Sequence, residues 1–324
     1  MSLNQLSVVH EVATKFWELD DIENYDVINR INIKIFSESR IIGVLPSWKD
    51  YPSAFFKIFV NKQNYENEKS GNNYANSFLP IDGIYVPKIL YDFPENFALI
   101  FEFISMKKAL PELKRIFKKK AHINWKNLGA WLRAFHDSKN VEFSNPEFLN
   151  NLIKKVEKQV ASLNQLFNKK ILDYFELLFL LSESFIAKSE IDWVLNHGDF
   201  NIDSLGIANQ SVCVYDFERL TTSPRSYEVI NFLAGLQSSI YFIFRKKHYS
   251  YFANEFLKGY GFPLENHPLN DLFYLSTYLD LIIHYNKRKN HTLSIGKANL
   301  FSFYEREIVN FLTKKMLEPN RTYF

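Results

Sequence analysis

The chain has 324 residues, a formal net charge of +3, and 47% hydrophobic and 17% aromatic residues. That length accommodates two lobes with a core each, and that apolar content excludes a disordered polymer. The charge is too small to argue for a nucleic-acid polymer as partner, and no apolar run approaches the ~18 residues of a membrane span. The single cysteine, Cys213, cannot form an intrachain disulfide, and its apolar neighbours place it in a buried strand. Glu11, Glu18, Asp20 and Asp21 do not suit a leader segment, so a reducing, cytoplasmic address is expected.

In chain order, residues 6–19 place Leu6, Val9, Ala13, Phe16 and Trp17 on one stripe of an amphipathic helix. Strands are then predicted over Val27–Phe36, Arg40–Leu45 and Ser53–Val60, as an antiparallel meander. The third holds Lys57 between aromatic residues, which suits either an edge-strand lysine or one emerging at a cleft. The next stretch, NYENEKSGNNYANSFL, reads as a weak helix offering Glu66 or Glu68 as its partner. Val86–Leu90 and Phe97–Phe103 complete a five-stranded sheet carrying one helix. Seven basic residues between Lys107 and Lys120 read first as a solvated helix face and second as an anion-attracting surface.

Beyond this point the pattern turns helical: Asn124–Asp137, which contains His136, then two helices over 147–187 joined near Asn168, and further helices over 236–314. Between them lies WVLNHGDFNIDSLGIANQSVCVYDFE, from Trp193 to Glu218. Two short apolar runs each end in a carboxylate, Asp199 and Asp216, 17 positions apart. A turn and a returning strand can bring both to one pocket. Buried carboxylates need a cation, and Mg²⁺ carried by a nucleotide takes one or two of them plus phosphate oxygens.

HGDFNIDSL followed by YDFE resembles the catalytic and metal segments of the aminoglycoside phosphotransferase and choline kinase-like family. The resemblance implies an α+β, bilobal, protein kinase-like fold. A β-rich nucleotide-binding lobe would span residues 1–103 and a mainly helical lobe, with the catalytic loop and acceptor pocket, residues 104–324. It implies ATP or GTP with Mg²⁺, and a hydroxyl of an amino sugar, sugar or amino alcohol as acceptor. In these terms Asp199 is the catalytic base, Asp216 the metal ligand, and Lys57, held by Glu68 or Glu66, the phosphate-binding lysine. Glu102 lies on the strand whose backbone receives adenine, His197 braces the loop through backbone, and Glu228 anchors it.

Two positions depart from the family pattern. Ser204 stands where the family has a metal-binding Asn, with Asn201 and Asp203 close enough to substitute. The first hairpin has Gly43 alone, and its expected turn, Ser37-Glu38-Ser39, lacks a glycine-rich phosphate loop. These departures motivate an alternative, a pseudokinase serving as a nucleotide- or partner-binding module. A polycationic acceptor is not favoured: the C-terminal third sets Asp271, Asp280, Glu305 and Glu307 against Arg245, Lys246, Lys247, Lys287, Arg288 and Lys289.

Overall fold

A computed structural model describes residues 3–18, 31–37, 40–47, 51–78, 80–109, 124–137, 145–188, 191–208, 211–238, 246–261, 268–291, 299, 302, 305–310 and 313. The expected Ser37-Glu38-Ser39 turn and the Lys107–Lys120 run lie wholly or partly outside these residues. The chain divides into two units, one of Met1–Asn124, His197–Asp199 and Asp203–Leu220, the other of Trp125–Asn196, Phe200–Ile202 and Thr221–Phe324. The lobe boundary read after residue 103 falls inside the first unit.

In the first unit, helix α1 (Leu3–Trp17) precedes strands β1 (Asn32–Ser37), β2 (Arg40–Leu45) and β3 (Ala54–Phe59). Helix α2 (Lys62–Ala75), β4 (Ile84–Tyr85), β5 (Ile89–Phe93), β6 (Ala98–Glu102) and β7 (Lys107–Lys108) follow. The five-stranded antiparallel sheet runs β1-β2-β3-β6-β5. Strand β3 is therefore its centre, and Lys57 is not an edge residue. Alternation sends Phe56 and Ile58 to the face where Val9, Val12, Ala13 and Phe16 of α1 pack at helical spacing. Phe55, Lys57 and Phe59 face the other way, where Tyr65 of α2 joins Phe59, Leu99 and Phe101.

Helix α2 starts at Asn61, whose side chain accepts from the Gln63 amide at 2.7 Å. It buries Tyr65, Glu68, Gly71, Asn72 and Ala75 along one stripe. The strand expected at Val86–Leu90 is shifted to Ile89–Phe93, because Pro87 has no amide to give a ladder. The Pro87 carbonyl instead accepts from Asn72 at 2.8 Å.

Of the motif block, His197–Asp199 and Asp203–Glu218 belong to this unit. Strands β9 (Leu205–Ala208) and β10 (Ser211–Val214) form the antiparallel pair, within a four-stranded sheet ordered β4-β10-β9-β7. Strand β10 runs parallel to β4, with Val212 opposite Ile84.

The second unit contains α3 (Trp125–Asp137), α4 (Pro146–Ser162), α5 (Lys169–Lys188), β8 (Trp193–Asn196), β11 (Thr221–Pro224), α6 (Arg225–Ser238), α7 (Lys246–Tyr260) and α8 (Pro268–His291). Strands β8 and β11 pair antiparallel. The core packs Leu149, Ile153 and Val156 of α4 with Ile171, Phe175 and Leu178 of α5 and Leu272, Leu275 and Leu279 of α8. No described helix is long and apolar enough to cross a membrane.

Candidate functional site

Lys57 and Glu68 meet because β3 and α2 cover the same apolar face. Both are almost wholly buried, at 3% and 1% exposure, and Lys57 Nζ lies 2.7 Å from Glu68 Oε1. The helix phase selects Glu68 over Glu66, since Glu68 shares its stripe with Tyr65 and Asn72. Lys57 Nζ also donates to Asp216 Oδ1 at 3.0 Å and lies 5.7 Å from the Phe101 ring centre. Burial alone would strip the lysine of its proton, but the charges of Glu68 and Asp216 hold its pKa above the ordinary value. Burial pushes Glu68 up, with Lys57 pulling it back and Asp216 adding repulsion.

Asp216 follows β10 in a left-handed backbone conformation, with φ 81°. For a residue with a Cβ this stores about 1–3 kcal/mol, which persists only where surrounding contacts enforce it. Those contacts are cationic. Besides Lys57, Arg40 at the start of β2 donates from Nη1 to Oδ1 at 2.7 Å and from Nη2 to Oδ2 at 3.3 Å. Arg40 Nη1 also meets the Glu218 carboxylate, and Asn67 of α2 donates to the Glu218 carbonyl at 3.0 Å. Burial would raise the Asp216 pKa, yet Lys57 and Arg40 hold it well below the usual carboxylate range.

Phe217 is fully buried and seats α2 against the motif block: a Cβ at Gly71 would stand 2.6 Å from that of Phe217. The Phe217 ring packs on His197 at 4.5 Å between centres. His197, also buried, donates from Nε2 to the Tyr215 carbonyl at 3.2 Å, while its Nδ1 receives the Asp199 amide at 3.4 Å. The imidazole thus ties the backbone at Asp199 to that at Tyr215 in a neutral tautomer. Gly198 has φ 81°, and a Cβ there would lie 1.8 Å from the Arg219 carbonyl oxygen. Only glycine fits that position.

Asp199 is partly exposed, and its Oδ1 lies 3.8 Å from Arg219 Nη1. Ser204 ends a 3₁₀ turn, Ile202–Ser204, is buried, and accepts the Tyr215 amide on its carbonyl at 3.4 Å. The Glu102 carboxylate takes the Tyr85 hydroxyl, and its amide donates to the Lys88 carbonyl at 2.9 Å. Lys57, Glu68 and Asp216 are therefore joined directly. Arg40 and Glu218 complete the cluster without having been marked as site residues by the sequence.

Does this donor set suit Mg²⁺? Among the described residues two cations and three carboxylates leave the cluster one charge negative, and Glu68 Oε2 is buried with no hydrogen-bond partner. Among the described residues no group of three or more His, Cys, Asp and Glu side chains is placed to hold an ion. The arrangement fits a hydrated cation brought in by phosphate and held through Asp216, not a cage built by the protein.

No family model and no curated protein matches the sequence. Solved structures do match the fold. One is a choline/ethanolamine kinase family protein from Mesorhizobium loti, 13% identical, with 96% of each chain covered and a TM-score of 0.58. The chain has a kinase-like fold. The same fold is found in the gentamicin complex of APH(2")-IIa, 12% identical over 95% of this chain and 98% of that one, TM-score 0.55. It also matches amicoumacin kinase hAmiN, solved with AMP-PNP, Ca²⁺ and Ami, 14% identical over 87% and 89%, TM-score 0.54. Within a kinase-like fold, the buried lysine–glutamate pair and the left-handed acid after a short hairpin stand together as one constellation.

Proposed function

We propose that this protein is a small-molecule phosphotransferase that moves the γ-phosphate of ATP or GTP to a hydroxyl of an amino sugar, sugar or amino alcohol. The observation that carries the reading is Lys57 bridging Glu68 and Asp216 inside a kinase-like fold. Phosphoryl transfer needs in-line placement and neutralised phosphate charge, and little covalent help.

In this reading Lys57, kept charged by Glu68, binds the non-transferred phosphates. Asp216 holds the Mg²⁺ that accompanies the nucleotide, with Ser204 standing where the resemblance expects a second ligand. The bound ion would shield charge on the phosphates. The Glu102 strand presents backbone to the base. Asp199 accepts the acceptor's hydroxyl proton as its oxygen bonds to the γ-phosphorus and the bond to the bridging oxygen breaks, releasing the nucleoside diphosphate. His197 and Gly198 fix the peptide that carries Asp199.

Charge does not favour a polycation as the acceptor. Among acids of the last third, Asp271 takes the Tyr174 hydroxyl at 3.0 Å and Asp280 pairs with Lys155 at 2.6 Å. Glu305 pairs with Lys289 at 3.0 Å, and Glu307 lies 3.8 Å from Arg306. Asp280, Glu305 and Glu307 thus each already have a cation beside them.

A coupled assay for nucleoside diphosphate release against pooled amino alcohols, sugars and amino sugars tests the reading. Acceptor-dependent release that vanishes in Asp199→Asn supports it. The alternative, a nucleotide- or partner-binding module without turnover, draws on Ser204 and on the hold of Arg40 over Asp216. It predicts nucleotide binding with no diphosphate formed under any acceptor.

A further inference from the structure

We infer that Arg40 is a latch on Asp216, closing its carboxylate to divalent cations until the guanidinium is displaced. The inference rests on the phosphotransferase reading only in taking Asp216 as the metal-binding group. An ionised carboxylate offers about four lone-pair sites. Three are engaged here, by Arg40 Nη1 at 2.7 Å, Arg40 Nη2 at 3.3 Å and Lys57 Nζ at 3.0 Å. Oδ1 takes two donors and Oδ2 one, so a single site is left, on the oxygen that also holds the guanidinium. A Mg²⁺ ion needs an oxygen at about 2.0–2.1 Å with its remaining water shell intact, which leaves no room for a guanidinium on the same carboxylate.

The moving part is identified by what holds each group. Asp216 follows β10 in a fixed left-handed backbone, and Glu218 is tied by its carbonyl to Asn67 of α2. Lys57 sits on the central strand and is pinned by Glu68. Arg40 has a strand-bound backbone, opposite Phe59, but a long side chain whose head is 16% exposed. Rotation about its side-chain bonds frees Asp216 without disturbing either sheet. The Glu218 carboxylate stays within its reach, so the released guanidinium keeps an anionic partner and the latch can reset.

Manganese titration followed by electron paramagnetic resonance, in the absence of nucleotide, tests this on the full chain. Arg40→Gln should bind Mn²⁺ about tenfold more tightly than the wild type, as expected for removing a bidentate charge-assisted contact. Arg40→Lys should also gain affinity, though less, because an ammonium cannot cover both oxygens. Asp216→Asn, alone or with Arg40→Gln, should bind none. Equal affinities, or binding by neither protein, overturn the latch. So does a gain in Arg40→Gln with none in Arg40→Lys, which would mean that loss of charge alone is responsible. Circular dichroism verifies each fold, and if Arg40→Gln fails to fold, Arg40→Lys decides. A wild type that turns over no ATP while these affinities hold would sink the phosphotransferase reading and leave the latch standing.

Discussion

Two buried polar clusters, one in each unit, show what separates a scaffold from a site. In the second unit His136 is enclosed: Tyr260 donates its hydroxyl to Nδ1 at 2.7 Å, and Nε2 meets Glu228 at 3.1 Å. Both imidazole nitrogens have a complementary partner. In the first unit the Lys57 cluster carries one negative charge too many, an orphaned Glu68 oxygen and a strained Asp216. Satisfied polar groups fix a fold, whereas excess charge held under strain marks a place prepared for a ligand.

The largest effect should come from Asp199, the acid proposed to do chemistry. Asp199→Asn should lower turnover by about 10²–10⁴-fold, the usual worth of a general base, with an unchanged melting temperature. Equal loss of stability would place Asp199 in the scaffold class.

Lys57→Met should sharpen the contrast from the other side. It leaves Glu68 and Asp216 facing each other without their shared cation, and should cost about 3–5 kcal/mol in urea unfolding as well as the nucleotide response. Gly198→Ala should cost about 1–3 kcal/mol through backbone strain and the clash with the Arg219 carbonyl.

Acid should discriminate the two clusters. The Asp216 pKa is depressed in the folded protein, so its carboxylate adds stability above the unfolded value of about 3.9. That contribution is lost as pH falls from there toward the lower folded value. Asp216→Asn should flatten this part of a stability–pH curve, and an unaltered acid limb would contradict the ion pairing. Tyr260→Phe should have the smallest effect. It removes the hydrogen bonds that its hydroxyl shares with His136 and Arg225 and should cost about 1–2 kcal/mol with turnover retained below the melting transition.

Much of this contrast was legible in the sequence, for local reasons. Lys57 stands out because an ion among FFKIFV needs a partner, and the carboxylates of HGD and DFE end apolar runs. Spacing favoured Glu68 over Glu66, but only weakly, since the helix phase depends on where α2 begins. Arg40 was read only as the head of a strand: its partner lies 176 positions later, and no local pattern announces so distant a contact. The two-residue strands β4 and β7 are too short for periodicity to reveal, and the parallel pairing of β4 with β10 joins segments more than a hundred residues apart. Pro87 displaced β5 because a missing amide outweighed the apolar run around it.

Calorimetric titration of the full chain with a non-hydrolysable ATP analogue, with and without Mg²⁺, addresses the Lys57–Glu68–Asp216 constellation most directly. Binding that requires Mg²⁺ and disappears in both Lys57→Met and Asp216→Asn is the predicted result. Binding that ignores the metal, or no binding by a folded wild type, would contradict the assignment of this cluster to a nucleotide's phosphates.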